Sequence, residues 1–542
     1  MQLELDLPAP CRQIPDHRSR WMSRFLPVAA ALAAAFLSVP AAAAASAAES
    51  VQAVVEREVD AAVARYDLPG IAVGVVEKGE VVAVVTRGEL AAGGGEPVTA
   101  QTLFKIASNT KAMTAGVLAR LVDQGRLRWD DPVTKYLPRF RMHDPWVTRH
   151  MQVRDLLIHN SGLGLGAGDL MLWPEPNGFT RADIIAGLAH LKPVTSFRSR
   201  YAYDNLLYVV AGEVAAAAAG KPYDQLVREE LFAPLGMDGC RVGSWRIDEA
   251  GPVARPHRRV DGRNLPVEED GEVVPDITSM AAGGIRCSLE DMLKWVRMWL
   301  DPGHPWLSPQ QRREVWTGHM PMPISERMCR WDNTHFYAYG YGWRLSDVDG
   351  QWKVAHTGTL DGMYSSVILL PDLGVGIVIL VNGPAEAART ALGQALQKRY
   401  TAPGSGLGVA HYAALLDQER QARRQARPRP DTSARRPASR EEARALLGVW
   451  RDPWFGEVAI CPRADGVGFA SARSPLMRGR LMRVDERWLV DWDEDSVDAE
   501  AWLHPPAGTG KDATLTLSHV DPEADFSYDY DDLAFVRVRA CP

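Results

Sequence analysis

The stretch FKIASNTKAMTAGVLARLVDQGRL, Phe104 to Leu127, reads as an amphipathic helix with a polar lead-in. Ser108 and Lys111 stand three apart at its start, so on a helix they share one face near the amino end. Two readings are open: a solvated turn, or a nucleophile beside its base. The second has favourable physics. Helix-terminal N–H groups lower the cost of negative charge on Ser108 Oγ, and burial depresses the pKa of a lysine. A lysine that is neutral, or that shares its proton, can then activate the hydroxyl.

The flanking sequence gives this helix its setting. ESVQAVVEREVDAAVARYDLPG places Val51, Val54, Val55, Val59 and Val63 at helical spacing, with Gly70 expected to close the helix. IAVGVVEKGEVVAVVTRGEL then shows two β-rich runs around Lys78-Gly79-Glu80, the pattern of a hairpin. Residues 104 to 230 read mostly as helices and loops. Strand signals return near 340 in YGYGWRLS, QWKVAHTG, YSSVILLPD and GVGIVILVNG. A helix-rich insertion between sheet elements predicts one α/β domain whose sheet is closed by distant segments, with function where sheet and helices meet.

The 542 residues suit two or three domains, and an apolar content of 46% allows a large core. A net charge of -7 leaves no footprint for nucleic acid. From Met22, the expected true start, Arg24 precedes an apolar run and small residues in A-x-A patterns, the layout of a signal peptide that ends by residue 48. The rival, a membrane anchor, fits an Ala-dominated run with proline at both ends poorly, and no later segment is apolar enough to span a bilayer. The expectation is a periplasmic or secreted protein with no integral span after cleavage. Export permits disulfides, and Cys461 with Cys541, close in one small region, is the preferred pair among Cys240, Cys287, Cys329, Cys461 and Cys541.

Residues 406–440 read as a helical, basic, proline-containing linker. Beyond it GEVAIC, GVGFA, RGRLMRV, RWLVDW, DATLTLSHV and LAFVRVRA predict a small antiparallel barrel or sandwich over 441–542. GLGLGAG from Gly162 has a G-x-G look but follows His-Asn-Ser and not a strand, so nucleotide binding is not expected. The acidic residues near the carboxyl end lack the spacing of a calcium loop, and no metal site is expected.

Two further stretches bear on Ser108 and Lys111. RYAYDNLLYVV supplies Tyr203 and Asn205 as Y-x-N, and KVAHTGTLDG supplies His356, Thr357 and Gly358 on a strand candidate. A phenol relays a proton, an amide holds both substrate and lysine, and a strand ending in Thr-Gly offers backbone groups to a substrate. Taken singly, Tyr203 also reads as an ordinary half-buried aromatic and His356 as a structural histidine.

The order S-x-x-K, Y-x-N, H-T-G resembles the serine β-lactamase and penicillin-binding protein superfamily. The likeness is to the branch of class C β-lactamases, D-Ala-D-Ala carboxypeptidases, D-aminopeptidases and esterases. RDLLIHNSGL, APLGMDGC, AAGGIRCSLEDMLKWVRMWL and LPDLGVGIVILVNG extend it over about residues 50 to 400. The resemblance implies an α/β fold, an antiparallel sheet flanked by helices with a mostly helical subdomain, over 49–405. It implies Ser108 as acylated nucleophile, Lys111 as its activating partner, and Tyr203 as proton relay and base for deacylation. Asn205, His356, Thr357 and Gly358 would bind and orient substrate, and the N–H groups of Ser108 and Thr359 would form the oxyanion hole. No cofactor is implied. The substrate would be a D-amino-acid peptide, amide or small ester, cell-wall-derived peptides included. The alternatives are a slow penicillin-recognising sensor and a true β-lactamase. Two departures stand out: Asp204 adds charge between Tyr203 and Asn205, and His356 would titrate near neutrality, so its hold on a carboxylate should weaken as pH rises. The carboxyl-terminal region resembles the lipocalin-like domain appended to some of these hydrolases.

Overall fold

A computed structural model describes residues 49–267, 270–360, 362–497, 499–506 and 514–542. The expected signal segment lies outside the described residues.

Helix α1 (Val51–Tyr66) is capped by the Ser50 hydroxyl, which accepts from Ala53 N–H, and ends at Asp67 in the left-handed region. Gly70, expected to close this helix, instead begins β1 (Gly70–Glu77), because Asp67 already supplies the left-handed cap. Strand β2 (Glu80–Gly88) follows across a tight turn in which Lys78 and Gly79 both have positive φ. The remaining strands come from the far side of the chain: β3 (Met320–Pro321), β4 (Tyr337–Tyr339), β5 (Arg344–Val348), β6 (Gln351–Leu360), β7 (Met363–Leu370) and β8 (Val375–Val381). They make one antiparallel sheet in the order β2-β1-β8-β7-β6-β5-β4-β3, so the distant halves meet where Val73 pairs with Ile379.

Both central strands are buried almost throughout, since helices cover both faces. Val73, Val75, Ile377 and Ile379 pack toward α1, α5 (Glu386–Thr401) and α6 (Val409–Ala426). The alternate residues face α4 (Leu289–Leu300). A Cβ on Gly74 would lie 2.9 Å from Leu293, and one on Gly376 only 2.2 Å from Val296. Glycine at these two points lets α4 sit close enough to bury its leucines and tryptophans, each side chain contributing about 2 kcal/mol.

The inserted helical part centres on α2 (Thr110–Asp123), buried along nearly its whole length, with α3 (Leu206–Ala219) against it. The first half of the expected linker is no linker. Val409, Tyr412, Ala413 and Leu416 recur at helical spacing and bury α6 in the layer over the sheet. The arginines beyond it find carboxylates: Arg423 pairs with Glu523, Arg429 with Glu500, and Arg435 with Asp491 and Glu500.

The carboxyl-terminal strands are β9 (Gly448–Asp452), β10 (Gly456–Arg463), β11 (Gly466–Ser471), β12 (Arg478–Val484), β13 (Arg487–Trp492), β14 (Ala501–His504), β15 (Thr516–His519) and β16 (Val536–Arg539). Their order is β15-β14-β13-β12-β11-β10-β9-β16, all antiparallel. Leu515 and Phe535 exchange two 2.9 Å backbone hydrogen bonds, which joins the two ends of the sheet and curls it into a barrel. The Cys461 and Cys541 sulfurs are bonded within this barrel, and Cys240 bonds to Cys287 beside α4, a pair the spacing alone did not single out. The barrel is fastened to the helical part through Arg473, which pairs with Asp183, accepts from Gly178 N–H at its backbone carbonyl, donates from its guanidinium to Gly178 O and lies over Phe179. No helix of the described residues is long and apolar enough to cross a membrane.

Candidate active site

Ser108 lies in a single 3₁₀ turn, Ala107–Asn109, and α2 begins directly after it, so Lys111 projects from the first turn of α2. Ala107 holds φ at 48°, a conformation that is costly for a residue with a Cβ. Strand β6 passes so close that a Cβ on Gly358 would lie 2.2 Å from Ile106 O and 3.0 Å from Ala107 Cβ. Gly358 therefore sets the approach of the H-T-G strand to the nucleophile turn, with Thr359 exposed beyond it.

Two side chains converge on Ser108, one from its own segment and one from a distant segment. Tyr203 OH donates to Ser108 Oγ at 2.8 Å, and Lys111 Nζ reaches the same oxygen at 3.2 Å. Lys111 Nζ also donates to Asn205 Oδ1 at 2.7 Å and to Ala282 O at 2.9 Å, so its three N–H directions all have acceptors. Burial pulls the Lys111 ammonium down to about 7, with Asp169 opposing, Arg344 assisting and Asp204 opposing. Near neutrality it is thus divided between ammonium and amine. Tyr203 moves the other way: burial pushes its phenol up to about 12, despite Arg344 and the Ser108 contact. A phenol so placed keeps its proton at neutral pH.

Asp204 does not face the relay. Its carboxylate accepts from Leu207 N–H at the start of α3 and lies 3.4 Å from Ser161 Oγ, while its own N–H donates to His159 Nδ1. It caps the helix that carries Asn205, and burial pushes it up to about 6.

His356 departs from its expected role. Its ring is 1% exposed; Nε2 accepts from Tyr339 OH at 2.9 Å, and Nδ1 donates to Thr357 O at 2.8 Å. Burial, with the Arg344 and Lys111 charges adding to it, holds the imidazole well below its ordinary pKa. It therefore stays neutral instead of titrating near neutrality, and both nitrogens are already engaged, so it supports the strand and offers no charge to a carboxylate.

The cation at this edge is Arg344, which sequence reasoning missed. It is partly exposed on β5, donates to Thr357 Oγ1 at 3.0 Å, and stands 5.9 Å from the Tyr203 ring centroid. No carboxylate pairs with it among the described residues. The signal was available as an arginine at the start of a strand predicted beside the H-T-G strand, although nothing in the sequence fixed their register. Asp169 was missed as well: fully buried, it accepts from Asn205 Nδ2 at 2.7 Å.

Comparison with known proteins gives the family. The family model described as Beta-lactamase matches residues 55–402. The unguisins hydrolase ungD' of Aspergillus campestris is 27% identical over 59% of this chain, which spans 59% of that protein's length. Penicillin-binding protein 4 of Amycolatopsis lactamdurans is 28% identical over 60% of this chain and 83% of its own. The D-alanyl-D-alanine-carboxypeptidase/endopeptidase AmpH of Escherichia coli is 26% identical over 52% and 71%. Among solved structures, the octameric penicillin-binding protein homologue from Pyrococcus abyssi superposes with a TM-score of 0.53 at 19% identity, covering 89% of this chain and 99% of that one, a likeness of fold alone.

Proposed function

The chain belongs to the Beta-lactamase family of serine hydrolases, and from that premise we propose that it is an exported hydrolase forming an acyl intermediate on Ser108 with D-amino-acid peptides, amides or small esters. One observation carries the reading: Ser108 Oγ receives hydrogen bonds from both Tyr203 and Lys111.

In this reading neutral Lys111 takes the Ser108 proton as Oγ attacks the substrate carbonyl. The N–H groups of Ser108 and Thr359 stabilise the oxyanion, one such donor being worth about a hundredfold or more in rate. The carbonyl-to-leaving-group bond then breaks, and Tyr203 passes a proton to the departing amine or alcohol. Water attacks the acyl-serine with its proton returning through the same groups, which restores Ser108.

Arg344 favours substrates that carry a carboxylate, since a guanidinium without a carboxylate partner beside Thr357 and Tyr203 matches an anionic group on the bound molecule. The AmpH relative, named for a D-alanyl-D-alanine-carboxypeptidase, points the same way. Export rests on the signal-like sequence before residue 49. The assignment is tested by mass mapping after treatment with a fluorophosphonate or a β-lactam. The adduct is expected on Ser108, and Ser108→Ala should lose adduct and turnover together. Turnover that survives in Ser108→Ala would end the mechanism.

A further inference from the structure

The loop Gly162–Gly168, whose glycines fit no nucleotide-binding pattern, has a structural task beside the catalytic residues. Gly166 N–H donates to Tyr203 O at 2.9 Å, and Gly168, at φ 76°, opens the short turn Asp169–Met171. A Cβ on Gly168 would lie 2.6 Å from Leu206, the residue after Asn205. The loop is thus pressed against the chain on either side of Asn205, at Tyr203 and at Leu206.

The opposite side of this loop is covered by the barrel, through the segment between β15 and β16. Asp529 Oδ2 accepts from Gly168 N–H at 2.6 Å. Ser527 adjoins the Asp169 carboxyl, and Phe526 lies against Gly166 with its ring edge-on to Tyr203, 6.0 Å between centroids.

Asp169 is placed where a carboxyl is costly. It is fully buried, Asp204 and Asp529 are near, its Oδ1 has no partner among the described residues, and burial drives its pKa well above the usual range. A hydrophobic side chain would serve the fold alone at lower cost. The carboxyl does what an apolar group cannot: its Oδ2 accepts from Asn205 Nδ2. The Asn205 amide has two flips, and Asp169 selects the one that turns Nδ2 away and Oδ1 toward Lys111. The reverse flip would aim an N–H donor at an ammonium and release Lys111 from its 2.7 Å contact.

We propose that Asp169 is a positioning residue for the Asn205–Lys111 pair, and that its own placement is completed from the carboxyl-terminal barrel by Asp529 on the backbone of Gly168. The proposal rests on Ser108 being the nucleophile that Lys111 activates. It gives the barrel a part in acylation at a distance from the substrate.

The test is the rate at which a fluorophosphonate labels Ser108 in the full chain, measured with the melting temperature of each variant. Asp169→Ala should slow labelling by about a hundredfold, the usual cost of a misplaced catalytic group. Asp169→Asn keeps an acceptor for Asn205 and should recover most of the rate. Asp529→Ala should slow labelling in the same direction, and Asp529→Asn, which still accepts from Gly168, should restore it. A merely structural role would lower the melting temperature of these variants without this Ala-to-Asn recovery. Should Asp169→Ala not fold, Asp169→Ser, too short to reach Asn205, takes its place. Wild-type labelling rates in Asp169→Ala or Ser, or in Asp529→Ala, would overturn the proposal, as would an Asp169→Asn no faster than Asp169→Ala. An unlabelled wild-type chain would instead remove the nucleophile assignment, and the positioning role with it.

Discussion

Tyr203 donates its phenolic proton to Ser108 Oγ across 2.8 Å while Lys111 reaches the same oxygen, so one hydroxyl stands between a group that holds its proton and a group that readily gives one up. The pKa values of the two neighbours are pushed in opposite directions by the same cause, burial. Burial disfavours phenolate and ammonium alike, which leaves the protonated phenol and makes the free amine accessible. Tyr203→Phe keeps the ring and its packing against His159 but deletes the proposed relay. Turnover is expected to fall by about a hundredfold or more. Stability should change by only about 1 kcal/mol, the net worth of one hydrogen bond. Steady-state rates beside a denaturant titration check both halves, and an unchanged turnover would show that the leaving group finds its proton elsewhere.

In the proposed mechanism Lys111 fixes the acid limb of the pH profile. The active form is the amine, so with the ammonium pulled down to about 7, activity should rise with pH below that value and level off above it. Protonation, not deprotonation, is the inactivating event, so the loss appears on acidification. Lys111→Arg keeps the charge at every accessible pH and should be inactive throughout. Removing Asp204, whose charge holds the lysine up, should move the limb to lower pH in Asp204→Asn. The kcat/KM profile of the free enzyme measures this, and a limb that stays in place in Asp204→Asn would show that another group titrates.

The elements that were legible in the sequence are those whose signal is local. The Lys78-Gly79 turn, the uninterrupted apolar runs of the central strands and the Ser108-Lys111 spacing each follow from neighbours in sequence, and the return of strands after 340 implied a sheet closed at a distance. What was not legible depends on tertiary placement. His356 read as a titrating, substrate-facing group because H-T-G gives no sign that Tyr339 and the Thr357 carbonyl occupy both nitrogens. Asp204 read as a charge beside the relay, whereas its direction was decided by the start of α3. Arg344 and Asp169 were invisible because each gains its meaning from register or loop contact. The helix Val409–Ala426 was absorbed into a linker because its arginine-rich end outweighed four apolar residues in composition, although those four decide its packing.

The proposed exchange of roles between His356 and Arg344 sets a substrate-dependent prediction. A neutral, fully engaged imidazole adds nothing to the binding of an anion, while Arg344 retains its charge at all working pH values. For a D-peptide with a free carboxylate, Arg344→Ala should raise KM by about tenfold or more, the range for losing a hydrogen bond to a charged group. For the same peptide capped as an amide the change should be small, because the cap has no charge to lose. Arg344→Lys should recover only part of the difference, since an ammonium cannot reproduce the planar fork that also reaches Thr357 Oγ1. The pH dependence of KM separates the two candidates without mutation. Recognition by arginine leaves KM for the free acid flat from pH 6 to 8, whereas recognition by a histidine of ordinary pKa, about 6.5, would weaken binding as pH rises through that value. Equal losses on the free and capped peptides in Arg344→Ala would mean that the guanidinium acts through the Tyr203 and Thr357 scaffold and not on the substrate.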